Sequence, residues 1–443
     1  MQNIQFAMKT VCNTLFDPNV LDEARIKPGA FTRNNGKLSY VRMMEILMKK
    51  STNTISSSMD SFFTKMRLAA GESISSTIQC SQQAFSKARA GIDHTIFEKC
   101  NDQLVESLYN EASSPWANRY PGDFGDSVFA IDGSTASLPS RKALLDEFGG
   151  LGKDANSPTA RISGCLDTQN NILVDALIAP ISTGERELAI RHIENLINSN
   201  RIDPKYSLFV FDRGYASEEL ISYIEDVFHT QYLFRLKSKF NAEIDALPAP
   251  KKGEISEYII EFKGRKIRVI KFYLESGCLE TLITNNFEID KSRFVELYFK
   301  RWPVEGEFDL LKNRVNLNCY RGYSVNSIMQ EFWISILLAN LTTIIGNEAD
   351  GIIDYEVNTG ENKHNYKSNT NEGVGTVCEH IDEYIEVYYN SDEDTSSKEY
   401  EVVRYILGKF INKRVVDKKG LGESNPRRIP RAVKNHYNRR TTH

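Results

Sequence analysis

The order of apolar segments between residues 127 and 236 most strongly limits the folds open to this chain. Five short apolar runs bounded by turn residues predict strands. Two intervening stretches, Glu185–Ile197 and Ser217–Val227, have helical periodicity. Three strands in succession, followed by helix, strand, helix and strand, predict a mixed sheet flanked by helices. The predicted strands are Ser127–Ile131, Ala160–Leu166, Ile172–Ile178, Tyr206–Phe211 and Tyr232–Leu236.

The segments on either side of this region have different sequence patterns, which divide the chain into three predicted domains. At 443 residues, the chain is long enough for two or three domains. Residues 1–115 carry apolar side chains at helical spacing and predict a helical N-terminal domain, which becomes a candidate DNA-binding domain through the helix pair described next. Residues 116–346 contain the predicted sheet, with a β-rich insertion at about 241–290, and residues 347–443 form a helical and basic C-terminal region.

Two short helical patterns in the N-terminal domain have two open interpretations. Ile55–Lys65 and Ser81–Ile92 could form a helix-turn-helix whose second helix carries Lys87 and Arg89 into a DNA groove. An amphipathic pair of helices that only packs against the protein gives the same pattern.

Two aspartates follow apolar strands of the predicted sheet. Asp132 ends the run SVFAID and precedes Gly133, and Asp212 ends YSLFVFD and precedes Arg213 and Gly214. The pattern places each acid where the sheet meets solvent. A buried strand tolerates such a charge only when it is paired or bound to a metal. Taken alone, each aspartate could equally be a turn residue.

A third candidate acid lies in the segment YFKRWPVEGEFDLLK. Tyr298, Arg301, Glu305 and Lys312 would fall within an arc of roughly 60° on one helix turning about 100° per residue. An acid between two long cations suits a polyanion whose phosphates are held on both sides of a metal. Pro303 is expected to kink or restart this helix.

The three acids together indicate metal chemistry. Asp132, Asp212 and Glu305 supply enough carboxylates for two divalent ions that act on a phosphodiester. Hard oxygen ligands favour Mg²⁺, with Mn²⁺ as a substitute, over zinc. Alternatively, Glu305 could merely pair with Arg301 on the helix surface.

The charges are segregated although the net charge is only −4. The segment Asn347–Glu401 contains fifteen Asp or Glu against three Lys, and Lys409–His443 contains eleven Lys or Arg against two acids. The basic tail is a candidate phosphate-contacting arm, and a solvated terminus would have the same composition.

Other features of the composition predict a cytosolic protein. The seven cysteines are scattered and contain no CxxC pair, which is typical of a reducing compartment. No secretory leader is expected at the N-terminus. The longest apolar run, Phe332–Ile345, is interrupted by polar residues and predicts a buried helix.

The motifs then resemble a known family. The spacing of Tyr298, Arg301, Glu305 and Lys312 is similar to the Y-R-E-K signature of the insertion-sequence-4 type of DDE transposases. IDGST around Asp132 and FDRGY around Asp212 resemble the first two catalytic blocks of that family, and FTRNNGKLSY and QAFSKAR resemble its N-terminal region. The resemblance spans residues 31–340.

This resemblance implies a fold and an activity. Asp132, Asp212 and Glu305 would be the catalytic, metal-binding triad on a ribonuclease H-like fold, with the β-rich insertion between the second and third acids. Tyr298, Arg301 and Lys312 would contact transposon-end DNA. Trp302 and Arg213, which neighbour signature residues, are further candidates for DNA contact.

The resemblance also implies partners and a setting. The family binds terminal inverted repeats and target DNA, pairs two ends through a homodimer, and moves bacterial insertion sequences by cut-and-paste in the cytoplasm, at the nucleoid. Some members use hairpinned ends. The chain shows no clear counterpart of a base-flipping aromatic, and Phe272 and Tyr273 are the candidates in the insertion.

Several other functions stay open. The chain could be a transposase-derived DNA-binding protein, or a metal-dependent nuclease without strand transfer. Tyr298 could act as a covalent nucleophile in a recombinase, although no arginine-histidine set supports that reading. Tyr298 and Trp302 could also be ordinary packing residues. A two-carboxylate glycosidase is disfavoured by the flanking cations, and a zinc enzyme by the lack of paired histidines.

Overall fold

The structure is a computed structural model, and it describes most of the chain. The described residues are 1–27, 29–31, 38–50, 53–69, 71, 80–110, 127–152, 154–300, 304, 306, 308, 310–315, 317, 319–360, 362, 364–390 and 396–417.

A mixed sheet of nine strands forms the centre of the molecule. Neighbouring strands pair in the order β2-β3-β1-β5-β6-β9-β8-β7. β4 also pairs with β3: β2 pairs with residues 157–158 of β3, and β4 pairs with residues 160–167. β1 is parallel to β5, and β5 to β6, whereas β3 and β4 are antiparallel to their neighbours. The strands are β1 (Ser127–Ser137), β2 (Gly150–Leu151), β3 (Ser157–Asp167), β4 (Ile172–Pro180), β5 (Ser207–Phe211), β6 (Gln231–Arg235), β7 (Ile255–Phe262), β8 (Arg265–Tyr273) and β9 (Leu279–Thr284).

The order β4-β3-β1-β5-β6 is the ribonuclease H-like arrangement, so the predicted fold class is confirmed. The predicted insertion does not form a separate sheet. Its strands β7, β8 and β9 extend the central sheet, because β9 pairs antiparallel with β6. A two-residue ladder between β10 (Tyr366–Lys367) and β11 (Val415–Val416) lies apart from the central sheet.

Helices cover the sheet on both faces. On one face, α8 (Glu185–Asn198) and α9 (Glu218–Ser222), which continues as a π-helical turn, share a core with the long helix α12 (Val325–Glu356). On the other face, α11 (Phe294–Phe299) packs on strand residues such as Leu208 and Ile270. The apolar run predicted to be a buried helix lies within α12, so that prediction is confirmed. α12 is apolar and long enough to cross a membrane, but most of its apolar stretch is buried in the protein core.

The N-terminal and C-terminal helices pack together around α12. Helix α12 continues past residue 346, and the helices before residue 111 contact those after residue 370. The division into three domains stays a prediction. The remaining helices are α1 (Gln2–Phe16), α2 (Pro18–Ala24), α3 (Tyr40–Met48), α4 (Ile55–Ala69), α5 (Gln82–Arg89), α6 (Thr95–Asn110), α7 (Lys142–Phe148), α10 (Ala242–Ala246), α13 (Thr370–Tyr389) and α14 (Ser396–Asn412).

Two local predictions differ from the structure. Strand β1 does not end at Asp132, because β3 is long enough to pair with it as far as Ser137. Helix α11 ends at Phe299 instead of continuing to Lys312. In a continuous helix the ring of Pro303 would clash with the carbonyl of Phe299, four residues earlier. This end agrees with the interruption expected at Pro303, and the stripe itself stays a prediction, because Arg301 and Glu305 lie outside the described residues.

Candidate active site

The strand register brings the first two predicted acids together. β1 and β5 pair from Ser127 opposite Ser207 to Ala130 opposite Val210. The same offset continued for two residues places Asp132 opposite Asp212, on strands about 4.8 Å apart. In the parallel pair of β5 and β6, Phe211 lies opposite Phe234, so the next residues, Asp212 and Arg235, lie opposite each other. Two acids and an arginine are thus placed side by side, Asp132 within β1 and the other two at the carboxyl ends of β5 and β6.

The main chain and a buried polar network hold Asp132. Its Oδ1 accepts a hydrogen bond from the N–H of Gly133 at 2.8 Å, and its carbonyl accepts one from the hydroxyl of Ser163 at 3.1 Å. Behind Ser163, the Nε2 of His192 lies 2.9 Å from the hydroxyl oxygen, and its Nδ1 lies 2.5 Å from Oδ2 of Asp175. The backbone at Asp132 is therefore supported from the protein interior.

Asp212 is held by a cation. Its Oδ1 lies 3.5 Å from Nη1 of Arg235, whose Nε donates to Glu280 at 2.6 Å. The same Oδ1 is buried and accepts no hydrogen bond from the part of the chain that the structure describes. A buried carboxylate oxygen without a hydrogen bond favours a further positive ligand.

Tyr215 brings a second unpaired polar atom to this place. Its side chain is 2% exposed, and its hydroxyl has no hydrogen-bond partner among the described residues. Burial raises the pKa of Tyr215 well above its usual value, and the charges of Asp132, Glu185 and Asp212 raise it further, against the lowering effect of Arg161. The hydroxyl is thus within electrostatic reach of all three acids.

Sequence reasoning missed Glu185, the first residue of α8. Its Oε1 accepts a hydrogen bond from Nη1 of Arg161 at 2.9 Å. A Cβ atom built on Gly133 would lie 3.2 Å from Cγ of Glu185, and one built on Gly214 would lie 4.0 Å from its Oε2. The carboxylate therefore lies between the segments that carry the two aspartates. An acid in the first turn of a helix is so common that the sequence alone gave no signal.

These groups fit a hard divalent cation. The acids supply carboxylate oxygens, the ligand type that Mg²⁺ prefers, and two buried polar atoms, Oδ1 of Asp212 and the hydroxyl of Tyr215, have no hydrogen-bond partner among the described residues. Across the described ranges, no three Asp, Glu, His or Cys side chains lie close enough to hold one ion on their own. The predicted third ligand, Glu305, lies outside the described residues, as do Arg301 and Trp302.

Lys312 lies beside the first acid, although the helix is interrupted. It is part of a π-helical turn, Leu310–Arg314, and its Nζ donates a hydrogen bond to the hydroxyl of Ser134, two residues after Asp132. Burial lowers the pKa of Lys312. Arg213, which follows Asp212, is exposed and accessible to a ligand.

Tyr298 is a packing residue in this structure. It is 2% exposed, packs edge-on against Phe272 at 6.1 Å, and lies 5.5 Å from the guanidinium of Arg235. A contact between this side chain and DNA, or its use as a nucleophile, would require it to become exposed. Phe272 is also buried, which leaves Tyr273 as the more accessible of the two candidates for a flipped base.

The helix-turn-helix interpretation of Arg89 is wrong. Arg89 is 4% exposed, and its Nη1 donates to Oε1 of Glu331 on α12 at 2.9 Å. It also donates to Gln330 and to the carbonyl of Ser327. Lys87, the other cation proposed to enter the groove, is exposed. The packing interpretation of α5 is therefore correct at Arg89, and no sequence pattern distinguishes the two.

The chain was compared with known protein families, curated proteins and solved structures. Residues 123–341 match the family described as "Transposase DDE domain". No curated protein matches the chain. Among solved structures, a piggyBac transposase in a synaptic complex with hairpin DNA is similar over 90% of this chain and 85% of that chain, with 10% identity and a TM-score of 0.49. The chain thus contains a region with the sequence pattern of a transposase DDE domain.

Proposed function

We propose that this protein is a DNA transposase of a bacterial insertion sequence, of the insertion-sequence-4 type. In this proposal it cuts and joins transposon-end DNA at a two-metal site and moves its element by cut-and-paste. The observation that supports the proposal is the register of β1 and β5, which, if continued for two residues, sets Asp132 opposite Asp212 within the region matching the DDE transposase family.

In the proposed site, Asp132, Asp212 and Glu305 hold Mg²⁺, for which Mn²⁺ can substitute. When bound, such ions activate a water or a DNA 3′-hydroxyl and stabilise the leaving oxygen. Arg235 forms an ion pair with Asp212 and partly neutralises its charge, and the N–H of Gly133 donates a hydrogen bond to Oδ1 of Asp132. The proposed DNA contacts are the signature residues Tyr298, Arg301 and Lys312 and the neighbouring Trp302 and Arg213, and Tyr298 would have to become exposed to make its contact.

The proposed partners are DNA molecules and a second copy of the chain. The substrates are the terminal inverted repeats of the element and a target duplex, and two subunits pair the two ends. The proposed setting is the cytoplasm, in association with the nucleoid. The basic C-terminal tail, residues 418–443, lies outside the described residues and is a proposed phosphate-binding arm.

A cleavage assay tests the proposal. Duplexes taken from the DNA that flanks the coding sequence are incubated with the full-length protein and Mg²⁺. The wild type should cut one repeat end and join it to a target, while Asp132→Asn, Asp212→Asn and Glu305→Gln should bind the duplex without cutting it. Asp226→Asn changes an exposed acid of the same region and is the control that should cut normally. Binding without cutting by the wild type would instead indicate a transposase-derived DNA-binding protein, and cutting without joining a nuclease.

A further inference from the structure

Glu185 reaches the proposed site from a different element than the predicted acids. It begins α8, which packs on β3 and β4, and its carboxylate lies beside the glycines that follow Asp132 and Asp212. Neither Gly133 nor Gly214 has a positive φ, so backbone conformation does not explain why glycine occupies these positions. Gly133 instead leaves room for a carboxylate, because a Cβ at this position would come within 3.2–3.4 Å of three Glu185 atoms.

The buried hydroxyl of Tyr215 points to a missing ligand at the same place. A buried hydroxyl without a partner destabilises the folded protein unless a ligand supplies one. This hydroxyl belongs to the turn after β5, where the N–H of Tyr215 donates to the carbonyl of Asp212 at 3.0 Å. It is the buried donor nearest in sequence to the second acid, and it is influenced electrostatically by Asp132 and Glu185.

We infer that Glu185 is a fourth carboxylate of the proposed site, where it helps to bind a divalent cation, and that the Tyr215 hydroxyl donates a hydrogen bond within the cation-loaded site. The inference rests on the proposed function, because it assigns a further ligand to the same metal centre. Glu185 can help to bind a cation without breaking its ion pair with Arg161. That ion pair uses Oε1, whereas Oε2 lies on the side of Gly214.

A purely structural role for Glu185 makes a different prediction. An acid in the first turn of a helix is stabilised by the helix dipole and by a nearby arginine. Glu187, two residues later on α8, has that role, because it pairs with Arg191 and is 53% exposed. Glu187 thus provides a control of the same charge on the same helix.

Mn²⁺ binding by the full-length protein, measured by electron paramagnetic resonance, separates the two roles. We expect Glu185→Gln to weaken Mn²⁺ binding roughly tenfold or more, in the range found for residues that support a metal site. Glu187→Gln should bind Mn²⁺ as the wild type does. Equal affinities of the two variants, with both folded by circular dichroism, would overturn the inference.

Variants of the predicted acids distinguish this failure from failure of the proposed function. If Asp132→Asn and Asp212→Asn lose Mn²⁺ while Glu185→Gln keeps it, the proposed function stands and the inference fails. If the wild type binds no Mn²⁺, or the aspartate variants bind it normally, both fail.

Tyr215→Phe gives an independent readout through thermal unfolding. Without Mn²⁺ the variant should unfold at the same temperature as the wild type or higher, because it removes an unpaired buried hydroxyl. With Mn²⁺ its midpoint should rise less than that of the wild type, since ligand binding raises stability in proportion to affinity. An equal Mn²⁺-induced rise of the unfolding midpoint in both proteins would show that the Tyr215 hydroxyl does not donate a hydrogen bond in the cation-loaded site.

Discussion

Replacing Arg89 by methionine removes the cation from a buried ion pair between α5 and α12. Glu331 is 1% exposed and accepts hydrogen bonds from Arg89 Nη1 and from the N–H groups of Arg321 and Gly322, each at 2.9 Å. The Arg89→Met variant keeps the two N–H donors but leaves the carboxylate without its closest cation. Removing one partner of such a pair typically costs about 3–5 kcal/mol.

The structure favours the lower end of this range. Lys50 also acts on Glu331, and the two backbone donors remain in the variant. The variant does lose two further bonds, from Arg89 to Gln330 at 2.6 Å and to Ser327 at 2.7 Å. We therefore expect Arg89→Met to lower the free energy of unfolding by about 3 kcal/mol.

Urea unfolding at pH 7 measures this effect. Lys87→Met, an exposed change two residues earlier on the same helix, should stay within about 0.5 kcal/mol of the wild type. An Arg89→Met variant within 1 kcal/mol of the wild type would refute the reasoning.

The same ion pair predicts a pH dependence. Burial favours the neutral form of Glu331, but Arg89, Arg321 and Lys50 outweigh it and hold the pKa of Glu331 below its ordinary value. A carboxylate with a lowered pKa stabilises the fold above its ordinary pKa and loses that contribution as the pH falls through the folded value. The difference in stability between wild type and Arg89→Met should therefore shrink in acid.

Three further predictions concern other parts of the molecule. Gly133→Ala should displace Glu185 and weaken Mn²⁺ binding, whereas Gly214→Ala, whose Cβ would lie 4.0 Å from Oε2, should not; equal Mn²⁺ titrations would contradict this. Burial and neighbouring carboxylates raise the pKa of Glu45 to about 8, so the wild type loses stability as the pH rises from about 4.5 to 8. Glu45→Gln should then raise the thermal midpoint at pH 8 much more than at pH 5, and an equal change at both would contradict the shift. His192→Phe should lose two buried hydrogen bonds and about 2–3 kcal/mol in urea unfolding, and an unchanged midpoint would count against that network.

The central sheet was predictable because its signals are local. Apolar runs bounded by turn residues located β1 and β3–β6 to within a few residues at most ends, their order predicted the mixed sheet, and β7–β9 lie in the region predicted to be a β-rich insertion. The short helix α7 and the strand β2 had no comparable run and were not predicted. The extent of β1 past Asp132 depends on its partner β3, which no local pattern reveals.

The candidate site was predictable only in part. Asp132 and Asp212 were identified by their places after apolar strands, and the register brings them together. Of the stripe from Tyr298 to Lys312, the structure describes only its two ends: Tyr298 lies in α11, which ends at Phe299, and Lys312 lies beside the segment of Asp132. Glu185 was missed because its contacts join α8 to two loops that are distant in sequence.

The most direct test of the account is where Mn²⁺ binds. Crystals of the full-length protein with Mn²⁺ and a duplex from the flanking DNA would show the metal by its anomalous scattering. We predict metal density between the carboxylates of Asp132 and Asp212, with Glu305 in the same cluster. Metal density away from these two aspartates, or carboxylates that stay too far apart to share an ion, would contradict the account.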